Sequence, residues 1–221
     1  MRAVRLWIEK EGRARYISHL DMNRCFTRAV RRAKLNLWYT EGFNPHPYLN
    51  FLTPLSLGQE SDGEPLDIRM EDDLPNAEIT RRMNEVLPEG LRVVRTEDAV
   101  FKASDIAFAA YTIRVPMDAP QEAEAFRKAA ADAVLRGSLT AEKLGKQGRH
   151  KVMKTVDISG KIHAFSVAVR AQTVVIETTL PAGSDMLNPS LLMDALQKET
   201  QTPLHPRIRR NAFYKADGSI F

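Results

Sequence analysis

Val4-Arg-Leu-Trp-Ile8, followed after Gly12 by Ser18-His-Leu-Asp-Met-Asn-Arg-Cys-Phe-Thr-Arg-Ala-Val-Arg-Arg-Ala33, decides the fold, because an apolar period of two gives way within a few residues to one of three and four. Val4, Leu6 and Ile8 alternate with Arg5 and Trp7, the pattern of a strand with one buried face, and Gly12 closes it. Ser18 with Asp21 makes a capping-box-like start. Met22, Cys25, Phe26, Ala29 and Ala33 then return at helical spacing, with Arg24, Arg28 and Arg31 opposite them. The stretch predicts a strand and then an amphipathic helix over residues 18–34.

Working outward, residues 35–39 read as a short strand and residues 65–70 as an alternating one. Asn76 caps a helix striped by Ile79, Met83, Val86 and Leu87, and residues 91–95 close the unit as a strand. Residues 1–97 thus read strand, helix, strand, strand, helix, strand, the split βαβ order of ferredoxin-like domains. Residues 107–221 repeat it. A strand at 111–115 precedes a helix marked by Ala123, Phe126, Ala130 and Val134, and residues 165–169 and 174–178 form a hairpin. Asn188-Pro189 opens a helix with proline at its first position, and residues 208–214 give a last strand. The join at 97–107 is not a Pro/Ser-rich linker. The expected architecture is α+β, with two ferredoxin-like lobes packed side by side.

Between the first helix and the strand at 65–70 lies a long Pro/Gly segment, residues 38–64. Pro45, Pro47 and Pro54 fix φ, Gly42, Gly58 and Gly63 permit positive φ, and Phe43, Tyr48 and Phe51 supply anchors. Such a segment predicts a defined recognition loop, placed at 40–64 and packed on the first helix. Gly58-Gln-Glu-Ser-Asp-Gly63 lacks the lysine and helix context of a phosphate-binding loop, and its acidity reads as a turn.

Over 221 residues, 43% hydrophobic and 27% charged composition supplies enough apolar material for a core. The start lacks the apolar run of a signal peptide, and no stretch approaches the roughly 18 apolar residues of a membrane span. A cytoplasmic location is expected. Cys25 is the sole cysteine, so the chain holds neither an internal disulfide nor a self-sufficient thiolate cluster. No metal site and no cofactor is expected.

The net charge of +4 is gathered in three clusters: Arg24, Arg28, Arg31, Arg32 and Lys34; Lys143, Lys146, Arg149, Lys151 and Lys154; and Arg207, Arg209, Arg210 and Lys215. The first is either a solvated helix face or a strip of guanidinium donors for phosphates, beside Tyr39, Phe43, Asn44, His46 and Tyr48 as a base-contacting set. The second, at 142–154, reads as a flexible basic loop loosened by Gly145 and Gly148. The residues a catalytic account would use are His19 and His46 with Tyr16. Hydrogen bonding of each imidazole to the loop backbone is the alternative.

Arg15-Tyr-Ile-Ser-His-Leu-Asp21, Arg28-Ala-Val-Arg-Arg-Ala33, Glu41-Gly-Phe-Asn-Pro-His-Pro47, Pro54-Leu-Ser-Leu-Gly58 and Gly63-Glu64 together resemble the radical-SAM-linked family of bacterial proteins of unknown function. Val156-Asp-Ile-Ser-Gly160 and Arg209-Arg-Asn-Ala-Phe-Tyr214 are similar to that family's later landmarks in a looser form. The resemblance implies that such a domain is encoded beside, or fused to, a radical SAM protein with a cobalamin-binding region, which becomes the candidate partner. With one cysteine, the chain reads as the accessory module.

Three functions stand as expectations. The first is a non-catalytic accessory protein binding RNA, or an RNA-derived substrate, for a radical SAM modification enzyme. The second is a metal-independent endoribonuclease, by an analogy of element order with the tandem ferredoxin-like CRISPR repeat-processing enzymes, whose late glycine-rich loop is not evident here. The third is a protein-interaction module without nucleic acid.

Overall fold

The computed structural model describes residues 1–147, 150–183 and 185–221. The chain is mixed α+β, and it divides into two compact units, Met1–Asp105 and Ile106–Phe221. Among the described residues no helix is long and apolar enough to cross a membrane.

The first unit runs β1 (Arg2–Lys10), a 3-10 turn (Gly12–Tyr16), α1 (His19–Arg32), β2 (Leu49–Phe51), β3 (Glu60–Met70), α2 (Asn76–Asn84) and β4 (Leu91–Asp98). The β1–β3, β1–β4 and β2–β3 pairings are antiparallel. β1 lies between β4 and β3, and β2 takes the other edge of β3, giving the order β4-β1-β3-β2. Val4, Leu6 and Ile8 of β1 and Leu66, Ile68 and Met70 of β3 are fully buried. They pack with Met22, Phe26, Ala29 and Val30 of α1 and with Ile79 and Met83 of α2 in one apolar cluster. Arg5, directly across from Asp67, donates from Nε and Nη2 to the two carboxylate oxygens at 2.7 and 3.0 Å. Nη2 also donates to the Phe101 carbonyl at 2.6 Å, so the buried charge is paired and hydrogen-bonded.

Two expectations for this unit are corrected. Residues 35–39 make only isolated bridges, Leu37 to Met70 and Tyr39 to Pro47, and the second strand is instead Leu49–Phe51. The chain touches the edge of β3 through Trp38 N to Arg69 O, leaves it for residues 39–47, and returns with Leu49 opposite Ile68. Pro45 and Pro47 bring no N–H to a ladder, so pairing starts after them. The acidic run at 58–64, read as a turn, largely enters β3, where Gln59, Glu60, Ser61 and Glu64 are buried.

The second unit runs β5 (Phe108–Pro116), α3 (Pro120–Leu135), β6 (Thr140–Gln147), β7 (His150–Asp157), β8 (Ala164–Arg170), β9 (Thr173–Pro181), α4 (Pro189–Thr200) and β10 (Arg207–Tyr214). Its main sheet is antiparallel in the order β10-β5-β9-β8. The hairpin expected from 165–169 and 174–178 is β8–β9, and Asn188 caps α4 through its side chain with Pro189 at the first position. The flexible basic loop expected at 142–154 is corrected to paired strands: β6 and β7 form a separate antiparallel pair, with Lys143 across from Lys154 and Lys146 across from Lys151.

Candidate anion-binding face of α1

Ser18 caps α1 by accepting from the Asp21 backbone N–H at 3.2 Å, while its hydroxyl donates to Asp21 Oδ2 at 2.7 Å. That hydroxyl, ahead of Arg24, holds the Asp21 carboxyl below the usual range. At the other end Leu35 N–H bonds the Val30 carbonyl, and Lys34 takes a left-handed φ of 52° to end the helix. With Met22, Phe26, Ala29 and Val30 turned to the core, Arg24, Arg28, Arg31 and Arg32 are left exposed.

Arg24, Arg28 and Arg32, four residues apart and so rising by about 6 Å per step, line an open groove of about 390 Å³ with Asp21, Cys25, Val86 and Pro88. Their engagements differ. Arg32 donates to the Val86 carbonyl at 2.7 Å and so fixes one wall. Arg24 reaches Asp21 at 3.3 Å, an exposed pair of little worth. Among the described residues Arg28 makes no hydrogen bond or ion pair, and Arg31 only lies over the Tyr39 ring, 6.0 Å from its centroid. Complementing the helix dipole accounts for Arg31 and Arg32 in the last turn, but not for Arg24 and Arg28. Burial pushes the Cys25 thiol up, against the opposing charges of Arg32 and Arg28.

Beside this face stands the excursion at 39–47. The Tyr39–Pro47 bridge and a 2.9 Å bond from Thr40 N–H to the His46 carbonyl close it. His46 Nδ1 lies 3.0 Å from the Asn44 carbonyl and 3.1 Å from Thr40 Oγ1. A carbonyl only accepts, so in this geometry the Asn44 carbonyl takes a hydrogen bond from the Nδ1 side of the ring. At the base, Arg69 sits over Trp38 at 5.1 Å and over Tyr48 at 4.4 Å. Phe51 contacts α1 directly, edge to face with His19 at 5.5 Å and with Phe26 at 5.6 Å. Phe43, at the tip, is fully exposed.

His19, His46 and Tyr16 are each held by neighbours of their own. Asn23 Nδ2 lies 3.1 Å from His19 Nε2, and Arg15 Nη2 donates to Tyr16 Oη at 2.7 Å. The cavity that His19 lines with Lys10, Met22, Phe51, Leu55 and Glu64 is about 10 Å³, far too small for a substrate. Among the described residues no three His, Cys, Asp or Glu side chains gather as a metal site.

Sequence reasoning missed the polar interior next to that cavity. Lys10 is fully buried and donates to the Ile17 carbonyl at 3.0 Å. Buried Glu60 accepts from Gly12 N–H at 3.2 Å and lies 3.6 Å from Arg15. The sequence carries no signal for it, since residues 59–64 are polar throughout and show no apolar alternation. Of the second basic cluster, Arg149 lies outside the described residues, as do the side chains of Lys146 and Lys151. The third cluster is not a surface strip, since Arg210 is buried with its guanidinium over Phe213 at 4.8 Å.

A chain in a crystal structure of a Cbf5-Nop10-Gar1 complex is similar in fold, with a TM-score of 0.50 at 9% identity; the alignment covers 96% of this chain and 50% of that one. This chain therefore spans about half the length of that relative. An unknown protein from Galdieria sulphuraria aligns over 95% of this chain and 98% of its own at 10% identity, but its TM-score of 0.25 carries no argument. No curated protein sequence matches. The model of one family matches residues 3–189, most of the chain, which therefore belongs to the family described as uncharacterized protein conserved in bacteria (DUF2344).

Proposed function

We propose that this chain is a non-catalytic accessory protein that binds RNA, or an RNA-derived substrate, on the arginine face of α1 and presents it to a radical SAM modification enzyme. The observation that carries the reading is the α1 groove: three arginines line one open channel, and Arg28 has no acidic partner among the described residues. Guanidinium groups in that state are free to fork onto phosphate oxygens. The partner rests on the resemblance to the radical-SAM-linked family. We further propose that each unit is a ferredoxin-like lobe, supported by the matching sheet arrangements β4-β1-β3-β2 and β10-β5-β9-β8 and by a strand–helix–strand–strand–helix–strand order that the second unit shares once its separate β6–β7 pair, inserted after α3, is set aside.

Filter binding of a single-stranded RNA across a salt series tests the reading. Each neutralised phosphate contributes about −0.7 to the log–log slope, so replacing Arg24, Arg28 and Arg31 together by Gln flattens it by about 2 and weakens binding. Arg32 is left in place because it holds the Val86 carbonyl. A gel run beside the assay finds the RNA intact. Absent or salt-insensitive binding by the wild type overturns the proposal in favour of a protein-interaction module, and strand scission lost on His46→Ala overturns it in favour of a ribonuclease.

A further inference from the structure

We infer that the excursion at 39–47 is a braced wedge whose Phe43 ring stacks on an unpaired nucleobase, which makes the ligand of the arginine face single-stranded or looped RNA and not a continuous duplex; this rests on the RNA reading above.

The inference follows from how the aromatic rings of this region are engaged. Trp38 and Tyr48, 6.0 Å apart, both carry the Arg69 guanidinium over their rings. Tyr39 lies under Arg31. Phe51 packs on Phe26 and His19, and the His46 ring is tied to Thr40 and Asn44. Phe43 is the ring left open, at 106% relative exposure. Full exposure of a phenyl ring is unfavourable to the free protein, since its whole apolar surface stays in water.

The ring is also not carried on slack chain. Trp38 N–H bonds Arg69 O at 2.9 Å, Tyr48 N–H bonds Trp38 O at 3.0 Å and Thr40 N–H bonds His46 O at 2.9 Å, so three backbone bonds and the Arg69 clasp brace both legs. Pro45 and Pro47 remove further freedom. Gly42 turns the tip at φ 118°, where an added Cβ would meet nothing within 4 Å; the position needs glycine for its backbone angle alone. A tip ordered in advance loses little entropy when it meets a ligand.

The occupant is set by the neighbourhood. Arg31 on α1 reaches Tyr39 at the foot of the wedge, so the open ring stands beside the cationic face. Phosphate-binding guanidinium groups beside an open aromatic ring fit a strand that offers backbone charge to one and a splayed base to the other. Bases inside a duplex are stacked and paired, and offer no free face to such a ring.

The test uses the full chain with a 12-nucleotide oligoadenylate carrying one 2-aminopurine and with a blunt 12-base-pair RNA duplex. Wild type binds the single strand more tightly than the duplex and changes the 2-aminopurine fluorescence. Phe43→Ala weakens single-strand binding by about 5- to 150-fold, the range one base stack is worth. It abolishes the fluorescence change and leaves the salt slope and the duplex affinity where they were. Phe43→Trp keeps tight single-strand binding. Since the side chain touches nothing in the fold, thermal melting of both variants matches wild type. Single-strand affinity and fluorescence unchanged in Phe43→Ala, with a steep salt slope, overturn the wedge and leave the arginine face standing. Wild type that binds neither RNA overturns both.

Discussion

Phe26 is fully buried on α1 and meets Phe51 edge to face, so this pair, with the Phe51–His19 contact, pins the three-residue strand β2 to the helix. Phe26→Ala removes that pair and opens a cavity at the centre of the first unit's core. The expected loss is about 3–5 kcal/mol of stability, visible as a lowered urea midpoint with an unchanged m-value. Phe26 was legible from spacing alone, because helical periodicity places it between Met22 and Ala29 on one face. Lys10 and Glu60 were not: charged side chains are rarely buried unless paired, and pattern reading assigns them to solvent before their partners in the segment 12–17 are known. The same limit applied to Phe43, whose ring could be read as an anchor or as a contact until the neighbouring rings had found their partners.

At the scale of elements, the turn into β4 leaves no room for a side chain at Gly90. Gly90 has φ 82°, and an added Cβ would sit 2.7 Å from the Glu11 carbonyl oxygen and 2.9 Å from Ala14 Cβ, with the Glu11 N–H to Gly90 O bond of 2.9 Å holding the two together. Gly90→Ala therefore combines left-handed strain with a backbone clash, and should destabilise the protein by about 1–3 kcal/mol or more. A thermal midpoint equal to wild type would contradict this account of the turn. On α2, Arg81 and then Arg82 donate to Glu78 and hold its carboxyl at about 2, below the ordinary 4.5. A lowered folded value gives stability that is present above 4.5 and fades as pH falls toward 2. Glu78→Gln should accordingly be slightly less stable than wild type at pH 7, by the modest amount exposed pairs supply, and the gap should close across that acid window in a pH series of melts. Helices and hairpins with clean periods were readable. The β6–β7 pair was not, because Gly145 and a run of lysines are poor strand formers, and only the pairing partner across the hairpin overrides them.

For the whole molecule, a net charge of +4 is too small to define a function, and distribution decides. Of the three basic clusters in the sequence, the first forms an open groove on a capped helix, while the third buries Arg210. The mixed α+β character was legible because it needs only the succession of periods, whereas which arginines remain available depended on contacts between residues far apart in sequence, such as Arg32 with Val86. The groove also contains its own reporter. Cys25 is the sole cysteine and lines the channel with Arg24, Arg28 and Arg32, so its alkylation reports on that channel and is read by intact mass. The decisive measurement is the rate of N-ethylmaleimide addition to Cys25 across a titration with single-stranded RNA. Occupancy of the α1 groove predicts that the rate falls with the same half-saturation as filter binding, recovers at high salt, and does not fall in the Arg24, Arg28 and Arg31 to Gln variant. RNA that binds the chain while Cys25 reacts at its free rate would contradict the account.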